Sequence, residues 1–156
     1  AFRFDTKILV ERAIDAREIE VAVIGNDRPR ASVPGEILCS RDFYTYDAKY
    51  SDGETKLQIP AQIPESLAGQ LAETACRAFR TLDAAGLARV DFLLDRKSQA
   101  LYVNELNSLP GFTTGSMFPR LWEATGMSFS ALLDRLIELG LERHARRSQL
   151  AHNAPR

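Results

Sequence analysis

Histidine is almost missing from this 156-residue chain: there are two, His144 and His152, both in a polar C-terminal stretch. That leaves little from which to build an imidazole metal site. Cysteine is as scarce. Cys39 and Cys76 lie far apart, in no metal-binding or redox spacing, and idle or buried thiols in a reducing cytosol are expected. Charge of one sign is lacking too. A formal net charge of −1 gives no electrostatic reason to expect nucleic acid or an anionic membrane as partner. No apolar run approaches the ~20 residues of a membrane span. The first residues show no basic segment followed by an apolar signal core.

What is present suits a globular domain. The length fits one domain or a large piece of a bigger protein, and a 45% hydrophobic content is enough for a core. TKILVERAI (residues 6–14) and EIEVAVIG (residues 18–25) read as two strands of an antiparallel hairpin joined through DAR. SVPGEIL suggests a third, shorter strand. From Ser40 to Pro60 the chain is polar and aromatic, as long binding loops or lids often are. Pro64 suits the first turn of a helix, and Leu67, Leu71, Ala75, Ala78, Phe79 and Leu82 recur at helical spacing toward Gly86. Two more strands follow, LARVDFLLD and ALYVNEL, joined by RKSQ. Gly111 to Gly115 reads as a loop and Phe118 to Ala124 as a short helix. A last helix starts near Ser128, a suitable cap, and is expected to bury Leu132, Leu133, Leu136 and Ile137. After Leu141, residues 142–156 read as a solvated, frayed tail.

The chemistry concentrates at VNELNSLPG, where Glu105 and Asn107 stand two residues apart at the end of an apolar strand. Residues two apart on a strand share a face. Arg89 and Asp91 therefore point one way, and Val90, Phe92 and Leu94 the other. By the same alternation Leu101, Val103 and Glu105 are expected on one face. A turn centred on Ser98 puts Asp91 opposite Glu105, each seven residues from that centre. Opposed residues have Cβ atoms ~5 Å apart, so the two acids repel unless a cation sits between them. Asp91, Glu105 and Asn107 make an all-oxygen set, which suits Mg²⁺ or Mn²⁺ completed by water and phosphate oxygens. Two solvent-facing acids on an edge hairpin would give the same pattern. Arg89 could steady an oxyanion or phosphate, and Lys49 could reach a phosphate as a point charge.

The order and spacing of ILVER, YDAKY, GLARVDFLLD, VNELNSLPGFTTGSMFPRLW and GMSFSALLDRLIELG resemble the C-terminal ATP-grasp portion of the D-alanine–D-alanine ligases. The likeness runs from about residue 1 to about residue 141. It implies an α+β fold, an ATP-grasp C-terminal subdomain with an antiparallel sheet flanked by helices. It implies a cytoplasmic, ATP-dependent ligase that joins two D-alanines through an acyl phosphate for cell-wall precursors. Residue by residue, Glu11, Arg12, Ala13 and Ile14 match the segment that receives adenine, and Glu18 the acid on the ribose hydroxyls. Lys49 matches the lysine on the ATP phosphates, and Tyr50 the tyrosine that closes over the substrate. Asp91, Glu105 and Asn107 match the ligands of two Mg²⁺ ions, with Glu105 bridging and Asn104 beside it on the nucleotide side. Arg89 and the backbone N–H of Gly111 match the groups on the tetrahedral intermediate. Ser116 and Met117 match the pair holding the carboxylate of the second D-alanine. Members of this family are much longer and resemble homodimers when complete. By this resemblance the N-terminal half, with its glycine-rich phosphate loop, is missing, so the chain reads as a fragment of a longer ligase and is expected to be inactive alone. A D-alanine–D-lactate ligase part and a non-catalytic remnant are the alternatives; Tyr50 speaks against the former.

Overall fold

The computed structural model describes residues 2–39 and 55–150. Its framework is a six-stranded, wholly antiparallel sheet. The strands are β1 (Ala16–Gly25), β2 (Arg30–Ala31), β3 (Gly35–Cys39), β4 (Thr55–Gln58), β5 (Gly86–Asp95) and β6 (Leu101–Asn107). Their order is β4-β3-β1-β5-β6, with β2 also pairing β1. Among the described residues there are three helices: α1 (Glu65–Thr81), α2 (Met117–Ala124) and α3 (Phe129–Gln149).

β1 is central because its run from Ile19 to Gly25 is buried throughout. Alternation divides that run between two cores. Ile19, Val21 and Val23 join Ala88, Val90, Phe92 and Leu94 beneath Leu71, Ala75 and Phe79 of α1. On the other face, Ala22 and Ile24 pack under Met117, Phe118, Leu121 and Trp122 of α2 and Leu132 and Leu139 of α3. β3 lies tightly under α2. A Cβ on Gly35 would come within 2.8 Å of a Leu121 methyl and 3.0 Å of the Met117 sulfur. Glu36, on the α1 face, is buried against Arg17, whose Nε and Nη2 donate to its carboxylate at 2.7 and 2.6 Å.

Five sequence expectations change. Residues 6–14 form no strand. β5 pairs along the whole of β1, and β2 and β3 occupy the other edge, so no ladder remains for a hairpin partner. Leu9 and Val10 stay exposed, a case of strand propensity without an edge to satisfy it. Within the expected loop, residues 55–58 are strand β4, while residues 40–54 lie outside the described residues. Pro64 stands at the N-cap, one position before the first turn of α1. In α3 the buried stripe is Leu132, Leu136 and Leu139, while Leu133 and Ile137 face outward. That helix also runs past Leu141 to Gln149 instead of fraying. Its charged residues pair as they go: Arg135 with Glu138 and Glu142, and Arg146 with Asp27 on the β1–β2 turn. Residues 151–156 of the expected tail are outside the described residues.

Candidate functional site

β1, β5 and β6 bring a row of acids together on the face that carries α2 and α3. Glu20 on β1 is opposite Asp91 on β5, and Asp91 is opposite Glu105 on β6. The next row is Ala22, Arg89 and Asn107. Arg89 is the cation within this group. Its Nε and Nη2 donate to the two Asp91 oxygens at 2.7 and 2.8 Å, and Nη2 lies 3.2 Å from Glu20 Oε1. Burial works against the guanidinium charge, but the hydrogen bonds of Asp91 and the fields of Glu20, Asp91 and Glu105 outweigh it. Together they push Arg89 above its ordinary pKa.

Asp91 and Glu105 do stand opposite each other, yet not through the turn assumed from the sequence. Near the turn the pairs are Leu94–Leu101, Leu93–Tyr102 and Phe92–Val103; beyond it they are Asp91–Glu105, Val90–Leu106 and Arg89–Asn107. Asn104 is the extra residue between, a β-bulge. The bulge corrects one expectation: Leu101 and Val103 share the α1 face with Leu94 and Phe92, whereas Glu105 lies on the opposite face with Asp91.

These residues suit a hard divalent cation. The donors of Asp91, Glu105 and Asn107 are all oxygen. Three acids against one guanidinium leave the row net negative. Repulsion between the two opposed acids is worth between about 1 kcal/mol in water and about 3 kcal/mol at the dielectric of a protein surface. Glu105 is exposed and, among the described residues, accepts no hydrogen bond. Asn107 Oδ1 accepts from the Leu109 N–H at 3.1 Å and keeps a second lone pair. Among the described residues no three His, Cys, Asp or Glu side chains form a cage by themselves. A cation here would complete its shell with oxygens from water or a ligand, as Mg²⁺ commonly does.

After Asn107 the chain turns through Pro110 and Gly111 into α2. Phe112 anchors this loop, with its ring 5.7 Å from Phe118 and 5.6 Å from Phe129. A Cβ on Gly111 would sit 3.1 Å from Ser116 Oγ, so the loop closes on itself there. Ser116 Oγ is held by Thr113, at 3.1 Å from its N–H and 2.8 Å from its hydroxyl. It therefore does not cap α2, and the first N–H groups of that helix remain open to an anion. The Met117 side chain is buried against Gly35 and Leu121, so Met117 offers a ligand only its backbone N–H.

Glu18 lies on the same face as Glu20, opposite Leu93 and Ile37. Glu11, Arg12 and Ala13 are exposed in irregular chain leading into β1, and Ile14 is half-buried. Among the described residues, the hydrogen bonds and ion pairs of Arg89 and Asp91 are with each other and with Glu20, not with these four. Lys49 and Tyr50 lie outside the described residues. Glu20 was not singled out by sequence, although its alternation with Ile19 and Glu18 was the available signal. Cys76 is a free thiol, its Sγ 3.6 Å from the Pro29 carbonyl, and burial raises its pKa.

No helix among the described residues is long and apolar enough to cross a membrane. Residues 1–138 match the family model described as "D-ala D-ala ligase C-terminus". The chain is 52% identical over 151 residues to a D-alanine–D-alanine ligase of Heliobacterium modesticaldum, covering 97% of this chain and 41% of that protein. Among solved structures it is similar to the D-alanine–D-alanine ligase of Coxiella burnetii, with a TM-score of 0.81, 39% identity, and coverage of 96% of this chain and 38% of that one. It is also similar to the VanG D-Ala:D-Ser ligase of Enterococcus faecalis, with a TM-score of 0.72, 34% identity, and coverage of 81% of this chain and 37% of that one. The chain thus spans about two-fifths of the length of such relatives, and it belongs to the D-alanine–D-alanine ligase C-terminal family, with the α+β ATP-grasp fold that family implies.

Proposed function

We propose that this chain carries the Mg-ATP and acceptor part of a cytoplasmic D-alanine–D-alanine ligase, which forms D-alanyl-D-alanine and ADP through an acyl phosphate for peptidoglycan precursors. The observation that supports this best is the direct opposition of Asp91 and Glu105 beside Arg89, in a chain of this family. Asp91, Glu105, Asn107 and, beside them, Asn104 would hold the metal-bound nucleotide. The cation, as two Mg²⁺ or Mn²⁺, would neutralise charge on the phosphoryl group as it moves.

The rest of the reading concerns this chain's own groups. Glu11 to Ile14 border the adenine and Glu18 accepts from the ribose hydroxyls. Lys49 pairs with phosphate, and Tyr50 closes over the acceptor. Arg89 and the Gly111 N–H face the oxyanion of the tetrahedral intermediate, where preorganised donors act most strongly. The α2 N-terminus at Ser116 and Met117 receives the acceptor carboxylate. That places the acceptor amine toward the acyl phosphate and keeps water from competing. Residues 1–141 act as one subdomain, completed by the N-terminal half of the ligase in a homodimer. By itself the chain binds ATP weakly and does not turn over, because one side of the nucleotide is uncovered.

The test is a chimera in which this chain replaces the matching segment of the Heliobacterium modesticaldum ligase. ADP release that depends on D-alanine is expected. A folded chimera that hydrolyses no ATP with D-alanine overturns the reading. D-serine and D-lactate, offered in parallel, identify the acceptor.

A further inference from the structure

Asp91 is asked to serve two cations. It receives both hydrogen bonds of the Arg89 fork, and in the reading above it also faces the metal. If Asp91 alone held Arg89, the guanidinium would be released whenever the carboxylate turned to another cation. Glu20 removes that conflict. It is 4% exposed and lies across the ladder from Asp91 on one side and from Gly35 on the other. At Gly35 the side chains of Leu121 and Met117 press directly on the sheet, so α2 covers this part of the face. Arg89 Nη2 is shared, 2.8 Å from Asp91 Oδ2 and 3.2 Å from Glu20 Oε1. The Glu20 contact is an ion pair, added to the hydrogen bond that Asp91 accepts from the same Nη2. Glu20 and Glu105 are two strands apart, about 10 Å, so a cation between Asp91 and Glu105 does not compete for Glu20.

We infer that Glu20 is a positioning residue: it anchors the Arg89 guanidinium over the acid row by a contact that does not depend on Asp91. Its importance for catalysis rests on the ligase reading. The anchoring itself does not, and it is measured without nucleotide or metal.

The experiment follows rotation about the Nε–Cζ bond of Arg89 by ¹⁵N NMR in the 156-residue chain, with the signal assigned by its loss in Arg89→Lys. In Asp91→Ala the guanidinium is expected to stay restrained, rotating within about threefold of the native rate. In Asp91→Ala combined with Glu20→Gln it should rotate more than about tenfold faster, a coupling that two residues sharing one partner are expected to show. Glu20→Gln that lowers Tm while leaving Arg89 rotation unchanged on the Asp91→Ala background would mean that Glu20 only packs. Free rotation in Asp91→Ala alone overturns the inference outright. That result stands even if the double variant does not fold.

Discussion

Glu105 stands directly across the β5–β6 ladder from Asp91, and an extra residue, Asn104, puts it there. The two acids carry like charge, and among the described residues no cation lies between them, since Arg89 lies on the Asp91 side toward Glu20. Glu105→Gln should therefore change folding stability by no more than about 1 kcal/mol, with the sign toward gain. Urea unfolding of the chain measures this. In the chimeric ligase the same change should lower turnover about a hundredfold or more, since a bridging ligand is lost. Turnover within a few-fold of normal at saturating Mg²⁺ would rule out a bridging role.

Arg89→Ala should behave in the opposite way. It takes the guanidinium from between two acids that are 5% and 13% exposed, a change that costs about 3–5 kcal/mol when a buried pair is broken. The Arg89 pKa is raised, so its contribution is fully present at and below neutral pH and is lost only at extreme alkaline pH. The native chain should thus show no loss from this group on mild alkalisation. Urea unfolding of the variant at pH 7 measures the cost, and a loss below about 1 kcal/mol, the scale of a surface ion pair, would show that the guanidinium is not needed to hold the two acids.

Removing Asn104 tests the bulge together with the nucleotide-side group that Asn104 itself supplies. The deletion keeps Phe92 opposite Val103 and Asp91 opposite Glu105, because the bulged residue pairs with nothing. Folding should survive with Tm changed by only a few degrees, roughly the effect of 1 kcal/mol. The bend that aims Glu105 should be lost, and nucleotide-dependent turnover of the chimera with it. A deletion variant with native turnover would show that only the pairing, and not the bend, matters.

Asp95 supplies a pH test away from the site. Its Oδ1 accepts from the Ser98 N–H at 2.7 Å and the Lys97 N–H at 2.9 Å, closing the β5–β6 turn, and these bonds hold its pKa below the usual carboxylate value. A depressed folded pKa stabilises above the unfolded pKa and loses that contribution as pH falls through the folded one. Asp95→Asn should therefore flatten the fall in Tm below about pH 4, where an ordinary Asp takes up its proton. An unchanged acid limb would remove Asp95 from the account.

Much of this fold is legible in local pattern. The α1 stripe at Leu71, Ala75 and Phe79 and the alternation of Val90, Phe92 and Leu94 follow from helix and strand periodicity alone. The opposition of Asp91 and Glu105 was also reachable, but through two departures that compensate: a tighter turn and a bulge. Nothing local marks Asn104 as the residue without a partner. Residues 6–14 have strand composition, and only the occupation of both sides of β1 shows that no partner waits there. The continuation of α3 past Leu141 brings Arg146 to Asp27, a contact between distant segments that no local pattern shows. Glu20 was hidden because a buried acid within an apolar strand is explained only by the guanidinium that reaches it from β5.

Gly35 has a mechanical consequence. With no side chain there, β3 rests against Met117 and Leu121 with no slack. β3 and β4 form a two-stranded arm from which the segment containing Lys49 and Tyr50 springs, while Met117 begins the helix whose open N–H groups face the acid-bearing side of the sheet. A side chain at position 35 would have to part β3 from the start of α2, so the spacing of the two elements is set by the absence of one.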